Sequence, residues 1–179
     1  MAVGTILIAL AGVLVIHNYQ EGVDAGEAST EMTEAFCRAQ ATEGESIPVS
    51  GKACMGMLEL PSLGLTLPVL RDWSYPNLKL APCLYDGSLQ NHNLVVMAHN
   101  YPSHFGRLTE LQPGDPVYFQ DVQKNRTAFE VAGLETLKPD QVEEMKEGQY
   151  PLTLFTCTYG GRTRVVVRCE QDYHTRETR

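Results

Sequence analysis

A cysteine and an arginine stand at adjoining ends of two predicted strands near the C-terminus. Residues Leu152–Thr156 are of β-favouring types and lead into Cys157, and Arg164 leads into Val165-Val166-Val167. A turn containing Gly160-Gly161 separates the two runs, which is the pattern of a β-hairpin. Such a hairpin holds a thiol beside a fixed cation at one end of a sheet. Because a nearby cation favours the nucleophilic thiolate, this pair indicates covalent catalysis.

A histidine at the end of another predicted strand is the candidate acid and base. His99 directly follows the apolar run Leu94–Ala98, so a rigid element would hold its position. The other histidines lie in less constrained places, namely His17, His92, His104 and His174. His99, Cys157 and Arg164 together suggest an acid/base, a nucleophile and an oxyanion stabiliser. On these residues alone, Cys157 as a buried structural cysteine remains an open alternative.

Two sequence patterns resemble those of the sortase family, and the resemblance covers roughly residues 53–170. The first pattern is Leu152-x-Leu154-x-Thr156-Cys157, with Arg164 ahead of an apolar strand. The second is Ala98-His99-Asn100, followed by Phe105-Gly106-x-Leu108 and Leu111-x-x-Gly114-Asp115. Sortases are membrane-anchored cysteine transpeptidases of Gram-positive bacteria that are built on a closed β-barrel. They cut a sorting motif of the Leu-Pro-x-Thr-Gly type and join the new carboxyl end to an amine.

The resemblance implies a role for each of the three chemical residues. Cys157 is the nucleophile that forms a thioacyl-enzyme with the substrate. His99 is the general acid toward the leaving amine and then the general base toward the attacking amine. Arg164 binds the oxyanion and the substrate, because arginine stays protonated and presents a rigid fork of donors.

Three further residues beside this trio are implied as substrate-binding residues. Thr156 would orient the substrate through its hydroxyl, although a β-favouring residue in a barrel strand is an equally good reason for a threonine there. The backbone N–H of Thr158 would complete the oxyanion hole. Asn100 would orient His99 or line the substrate groove.

Two other arginines compete with Arg164 for the oxyanion role. In an extended strand, Arg162, Arg164 and Arg168 share one face. The family places its arginine immediately before the apolar strand or one residue earlier, and only Arg164 meets that condition. Arg162 is predicted to be a solvated turn charge, and Arg168 is predicted to reach solvent at the far end of the strand.

Charge and cysteine content argue against several classes of function. The net charge is −8 at pH 7 and no basic cluster occurs, which argues against nucleic acid as a partner. The five cysteines are an odd number without a Cys-x-x-Cys pair, so neither a zinc site nor a disulfide framework is predicted. No acidic cluster indicates a Ca²⁺ site, and no cofactor is predicted. We expect small buried side chains at the remaining cysteines, Cys37, Cys54, Cys83 and Cys169.

The N-terminal residues 2–16 are apolar and predict a membrane segment. At 1.5 Å per residue they span about 22 Å, less than the ~30 Å of a hydrocarbon core. A short or truncated anchor is favoured over a signal peptide, because no Ala-x-Ala-like site follows. A polar linker then leads to a helix that begins near Ser29, and residues 1–28 are predicted to be dispensable for chemistry. The predicted organisation is an anchor over 1–17, the linker and N-terminal helix over 18–52, a catalytic barrel over 53–170 and a polar tail over 171–179.

Short strands dominate the predicted secondary structure. They cover residues 55–60, 65–70, 94–98, 116–121, 127–135, 152–156 and 163–169, with turn signals between them. Residues 72–86 are predicted to be a long connection and residues 139–146 a short helix. The fold class is all-β, and the resemblance implies a closed sortase-like β-barrel of seven to eight strands with short helices and an N-terminal helix. The long helical insertion of class B sortases is missing, which leaves the subclass open.

The predicted function is that of a sortase at the cell membrane, with a single membrane pass and an extracellular catalytic domain. Its partners would be sorting-signal peptides of surface proteins and an amine of a peptidoglycan precursor or a pilin. Two alternatives are a cysteine protease that releases its product to water and a non-catalytic, membrane-tethered β-barrel scaffold. Amine-dependent product formation separates the transpeptidase from the protease, and thiol accessibility separates both from the scaffold.

Replacing Arg164 by lysine is expected to reduce turnover sharply. Lysine keeps the positive charge but loses the planar fork that can bind an oxyanion and a neighbouring carbonyl together. Loss of one preorganised oxyanion donor costs about 10²–10³ in rate. Steady-state cleavage of a sorting-motif peptide measures the effect, with Arg162→Lys as the control that should be mild. The reverse order of the two variants would move the oxyanion role to Arg162.

Overall fold

The computed structural model describes residues 2–146 and 150–173, so residues 174–179 of the predicted tail lie outside the described residues. Its helices are α1 (Ala2–Arg38), α2 (Tyr75–Leu78) and α3 (Val142–Lys146). Its strands are β1 (Ile47–Val49), β2 (Lys52–Leu60), β3 (Leu65–Leu70), β4 (Cys83–Asp86), β5 (Leu94–Ala98), β6 (Pro116–Asp121), β7 (Arg126–Leu137), β8 (Leu152–Cys157) and β9 (Arg164–Gln171).

Eight of the strands close into a barrel. The hydrogen-bonded order is β2-β3-β4-β5-β8-β9-β7-β6, and β6 pairs back onto β2. Strand β1 is an extra strand that pairs with the beginning of β2. Closure leaves few unpaired strand edges, which is how a small all-β protein avoids edge-to-edge association. The closed barrel with an N-terminal helix confirms the predicted fold class.

Strands β5 and β8 are buried on both faces, which explains their uninterrupted apolar sequences. Leu94 and Leu154 are fully buried inside the barrel. On the outer face, Val95 and Phe155 pack beneath Met145 of α3. Sequences of strands covered on both faces read as continuous hydrophobic runs rather than as an alternation.

Two strands were not predicted from the sequence. Strand β1 has only three residues, and β4 lies inside the predicted connection over residues 72–86. The register of β4 against β5 shifts between Leu84 and Asp86. A strand that is short and irregular has no two-residue alternation for a sequence pattern to show. Helix α2 in the same connection begins where the Ser74 hydroxyl accepts a hydrogen bond from the Asn77 N–H.

Helix α1 is continuous and has two different halves. The polar linker over residues 17–28, for which partial helix was one of the expectations, is helical throughout, because α1 runs unbroken from Ala2 to Arg38. Residues 3–20 are exposed, and this part of the helix is long and apolar enough to cross a membrane. The second half is amphipathic and buries a helical stripe against the barrel, formed by Ala25, Ser29, Met32 and Phe36.

The second half of α1 also covers the turn that follows β5. The Ser103 hydroxyl donates a hydrogen bond to the Gly22 carbonyl at 2.9 Å. A Cβ added at Gly26 would lie 3.0 Å from the Ser103 Cβ, so a small residue suits this close approach. The imidazole of His104 is fully buried beneath the helix, near the backbone of Ala25. The turn is therefore held between α1 and the barrel.

Two sequence predictions about exposure are wrong. Cys37 is exposed in the last turn of α1, because the buried stripe of the helix passes through Phe36 instead. Arg168 was expected in solvent but is only 7% exposed. The connection between β7 and β8 folds back over the outer face of β9 and covers the arginine with α3.

Arg168 fastens this connection to the barrel. Its Nε donates a hydrogen bond to Glu135 Oε1 at 2.6 Å, and Nη1 donates to the Thr153 hydroxyl at 3.1 Å. Its two terminal nitrogens also donate to the carbonyls of Met145 and Glu144 in α3, at 3.0 and 2.6 Å. One guanidinium thus joins β7, β8, β9 and α3.

Removing the Arg168 guanidinium is expected to destabilise the chain by about 3 kcal/mol, because it leaves buried acceptors without a donor. The variant is Arg168→Met, and urea unfolding of the full chain in detergent measures the free energy. The control is Arg126→Met, whose exposed pair with Glu59 should contribute at most about 1 kcal/mol. Equal losses in both variants would contradict the anchoring role of Arg168.

Acid is expected to destabilise the fold through His104. Burial lowers the pKa of His104 from 6.5 to about 4, so the unfolded chain binds the proton more readily than the folded chain. Stability from this group is therefore complete above pH 6.5 and is lost as the pH falls toward 4, by about 3 kcal/mol in total. In unfolding measurements across this range, His104→Gln should flatten the pH dependence. The exposed His92, replaced by Asn, serves as the control and should leave the slope unchanged.

Candidate active site

The strand register brings the three predicted chemical residues to one end of the barrel. Strand β8 lies between β5 and β9 in the sheet. Ala98 is opposite Thr156 in the parallel pair, so His99 comes one residue past β5 beside the end of β8. Cys157 is directly opposite Arg164 in the antiparallel pair. Because paired strands lie about 4.8 Å apart, the three residues occupy three adjacent strand ends.

Cys157 differs from the buried cysteines in its environment. It is partly exposed and lines a cavity of about 200 Å³. Burial raises the pKa of Cys54 to about 11 and that of Cys83 to about 12, and it raises the pKa of Cys169 as well. These three thiols stay protonated at neutral pH and are poor nucleophiles. Among the four cysteines of the barrel, Cys157 is the one that is accessible and lines a cavity.

Residues from both sequence patterns line the cavity at Cys157. Asn100 and Gly106 come from the segment after β5, and Thr158 and Tyr159 come from the hairpin turn. A Cβ at Gly106 would lie 2.4 Å from the Asn100 carbonyl oxygen, so this wall closes only with glycine. A groove of about 610 Å³ between α1 and β3 is larger but contains no cysteine or histidine. The smaller cavity is the candidate site because Cys157 lines it, and not because of its volume.

His99 is half-buried and favours its neutral form. Burial lowers the pKa of His99, the positive charge of Lys79 lowers it further, and the carboxylate of Glu21 raises it. The ring lies tilted against the Tyr101 ring, with 5.1 Å between centroids. A neutral imidazole can accept a proton from a thiol or an amine and return it later, as a general acid/base requires.

The guanidinium of Arg164 is anchored at the mouth of the hairpin. Its Nη1 donates hydrogen bonds to the carbonyls of Gly161 and Thr163, both at 3.1 Å. Among the residues that the structure describes, neither Nε nor Nη2 has a hydrogen-bond partner. Two donors of a held guanidinium therefore remain for a negatively charged oxygen. Arg162, by contrast, is exposed in the turn, as predicted.

The Thr156 hydroxyl and the Thr158 N–H both donate hydrogen bonds to other groups of the protein. The buried Thr156 hydroxyl donates to the Ala98 carbonyl at 2.8 Å, which ties the ends of β8 and β5 together next to His99. The Thr158 N–H donates to the Thr163 carbonyl at 3.0 Å. This N–H is already paired across the turn, so the contacts do not support its predicted place in an oxyanion hole. Both residues still line the cavity at Cys157.

Sequence reasoning missed the residues that surround His99. Tyr101 contacts the His99 ring, and its hydroxyl lies 3.5 Å from Glu21 Oε2. Glu21 also binds Lys79 Nζ at 2.7 Å. The two-residue spacing from His99 is a weak signal for Tyr101, but Glu21 and Lys79 are far apart in the chain and give none. Among residues 2–146 and 150–173, no three His, Cys, Asp or Glu side chains come together as metal ligands.

Comparisons with known proteins agree with this geometry. A family model described as the sortase domain matches residues 58–172, which include the cavity residues and the three strand ends. Sortase A of Bacillus anthracis is 25% identical over 179 aligned residues, which cover 87% of this chain and 85% of that protein.

Solved sortase structures share the fold. Sortase C1 of Streptococcus suis is 28% identical with a TM-score of 0.60, covering 70% of this chain and 76% of that one. Sortase C of Streptococcus pneumoniae superposes with a TM-score of 0.61 at 20% identity, covering 89% of this chain and 92% of that one. The family match extends over more than half of the chain, and the barrel is the same. The chain therefore belongs to the sortase family of cysteine transpeptidases.

Proposed function

We propose that this sortase cleaves a Leu-Pro-x-Thr-Gly-like sorting signal and transfers the acyl group to an amine of a cell-wall precursor or a pilin. The observation that carries the proposal is the register that sets Cys157 between the end of β5 and Arg164. His99, Cys157 and Arg164 are the catalytic residues of the proposal, and Asn100, Thr156 and Thr158 line its substrate cavity or support it.

The first half of the reaction forms a thioester. His99 first accepts the proton of the Cys157 thiol and becomes an imidazolium. The Cys157 thiolate then attacks the carbonyl carbon of the scissile peptide bond, and the carbonyl oxygen becomes an oxyanion. The Nε and Nη2 donors of Arg164 stabilise this charge. The intermediate collapses by breaking the C–N bond, and the imidazolium of His99 gives its proton to the leaving amine. The product is a thioacyl-enzyme, with a neutral imidazole at His99.

The second half of the reaction transfers the acyl group. The nitrogen of the acceptor amine attacks the thioester carbonyl, and His99 takes the proton that the nitrogen loses. The C–S bond then breaks, which releases a new amide and restores the Cys157 thiolate. The same groups serve both halves, so no cofactor enters the scheme.

The position of the site relative to α1 supports action at a membrane surface. The exposed apolar half of α1 ends next to the turn that carries His99, because Gly22 accepts the hydrogen bond from Ser103. A helix inserted in the membrane would hold the barrel at the lipid surface. The proposed location is the outer face of a Gram-positive cell membrane, with one membrane pass and the barrel outside.

Loss of the Cys157 sulfur is expected to abolish turnover without unfolding the chain. Cys157→Ala removes the atom that forms the thioester, and loss of a covalent nucleophile costs at least about 10³-fold. The assay incubates the full chain in detergent with a library of sorting-motif peptides, with and without amine donors such as triglycine. Mass spectrometry then identifies the peptide–amine product.

The control for this prediction is Cys37→Ala, which removes an exposed thiol from α1 and should leave turnover unchanged. Cleavage by purified Cys157→Ala would contradict the covalent mechanism. Cleavage by the native chain that yields only the hydrolysed peptide, whatever the amine, would identify a protease rather than a transpeptidase.

A further inference from the structure

The turn of α1 at Glu21 and Gly22 lies against the segment that carries His99. We propose that this turn, together with Lys79, is a positioning element for His99 and couples α1 to catalysis, in contrast to the sequence-based prediction that residues 1–28 are dispensable for chemistry. Glu21 and Lys79 do not touch the reacting atoms, and they act through Tyr101 and the segment that follows it. The inference rests on the proposed function, since it assigns these residues to the proton transfers of His99.

A chain of side-chain contacts leads from α1 to the imidazole. Lys79 Nζ binds Glu21 Oε1 at 2.7 Å, and the Tyr101 hydroxyl donates to Glu21 Oε2 at 3.5 Å. The Tyr101 ring in turn lies 5.1 Å from the His99 ring, with 47° between their planes. A change in the rotamer of Glu21 therefore changes the hydrogen bond that positions the Tyr101 ring against the His99 ring.

Backbone contacts fix the same segment from the other side. The Ser103 hydroxyl donates to the Gly22 carbonyl, and a Cβ at Gly22 would lie in ordinary van der Waals contact with Tyr101. Within the segment, the N–H groups of residues 104 and 106 both donate to the Tyr101 carbonyl, at 2.9 Å. The Phe105 N–H donates to the His99 carbonyl at 3.2 Å. The segment is a closed turn with α1 as its outer wall.

The electrostatic surroundings of His99 contain two opposing charges from this element. The charged and titratable groups around the ring are Glu21 of α1, Lys79 after α2, Tyr101 and His104 of the same turn, and Cys157 of β8. His17 of α1 lies behind Glu21, with 3.8 Å between its Nε2 and Glu21 Oε1. Lys79 disfavours the imidazolium and Glu21 favours it. Because the two charges are paired, removal of either one leaves the other uncompensated. Their effects on His99 should therefore have opposite signs.

The variants are Glu21→Gln, Lys79→Gln and Tyr101→Phe in the full chain, purified in detergent micelles. NMR titration of the His99 ring in a Cys157→Ala background measures its pKa directly. Steady-state kinetics with the sorting-motif peptide and amine give kcat, KM and the pH profile. The matched control is Glu59→Gln, which also removes the carboxylate of an ion pair with a basic residue on another element.

We expect Glu21→Gln to lower the pKa of His99 and Lys79→Gln to raise it. A catalytic group that is displaced by about 1 Å loses up to about 100-fold in rate, so a partly supported His99 should lose about tenfold in kcat. KM should stay unchanged, because neither residue lines the cavity at Cys157. The losses in Glu21→Gln and Tyr101→Phe should be non-additive in the double variant, because one contact transmits both.

Shifts of the His99 pKa in the same direction, or a Glu21→Gln variant that matches Glu59→Gln in kcat and pKa, would overturn the inference. Active native protein in that case would still uphold the proposed function. The reverse result is that Glu21→Gln and Lys79→Gln shift the His99 pKa in opposite directions while the native chain makes no amine-dependent product. The positioning contacts would then stand, and the proposed function would fail.

Discussion

The parallel pairing of β5 with β8 is the constraint on which the rest of this structure depends. It joins segments more than fifty residues apart and sets Ala98 opposite Thr156. A slip of one residue would exchange the two faces of β8 and move the thiol away from the end of β5. The hydrogen bond from the Thr156 hydroxyl to the Ala98 carbonyl locks the pairing at the site itself. Apolar side chains on both faces of the pair fix the same register.

Two covers outside the barrel hold the strands in this arrangement. On one side, the second half of α1 buries Met32 and Phe36 against the barrel and contacts the turn after β5 through Gly22. On the other, α3 covers Phe155 and is fastened by Arg168. The apolar first half of α1, which is long enough to cross a membrane, and the first cover are one continuous helix. The candidate membrane span and the support of the turn after β5 therefore belong to a single element.

The chemistry of the site follows from how its polar groups are already engaged. Nη1 of Arg164 donates hydrogen bonds to two carbonyls of the hairpin turn, and Nε and Nη2 take no part in these bonds. Burial lowers the pKa of His99, while Cys157 remains accessible in a small cavity. The other barrel cysteines are too deeply buried to compete. Separate functions for similar residues thus arise from environment rather than from residue type.

Three kinds of feature could be predicted from the sequence, namely the strands with strong local patterns, the hairpin that pairs Cys157 with Arg164, and the position of His99 after a buried strand. These features depend on neighbours within a few residues, and such neighbours are visible in a single sequence. Three other features became visible only in the folded chain: α1 is unbroken through residues 17–28, Arg168 is buried, and the Thr158 N–H is paired. Each of these depends on groups brought close by folding, such as Ser103 beneath α1 and Glu144 above β9. A local pattern cannot specify a partner that is distant along the chain, because burial and hydrogen bonding are settled only when the barrel closes.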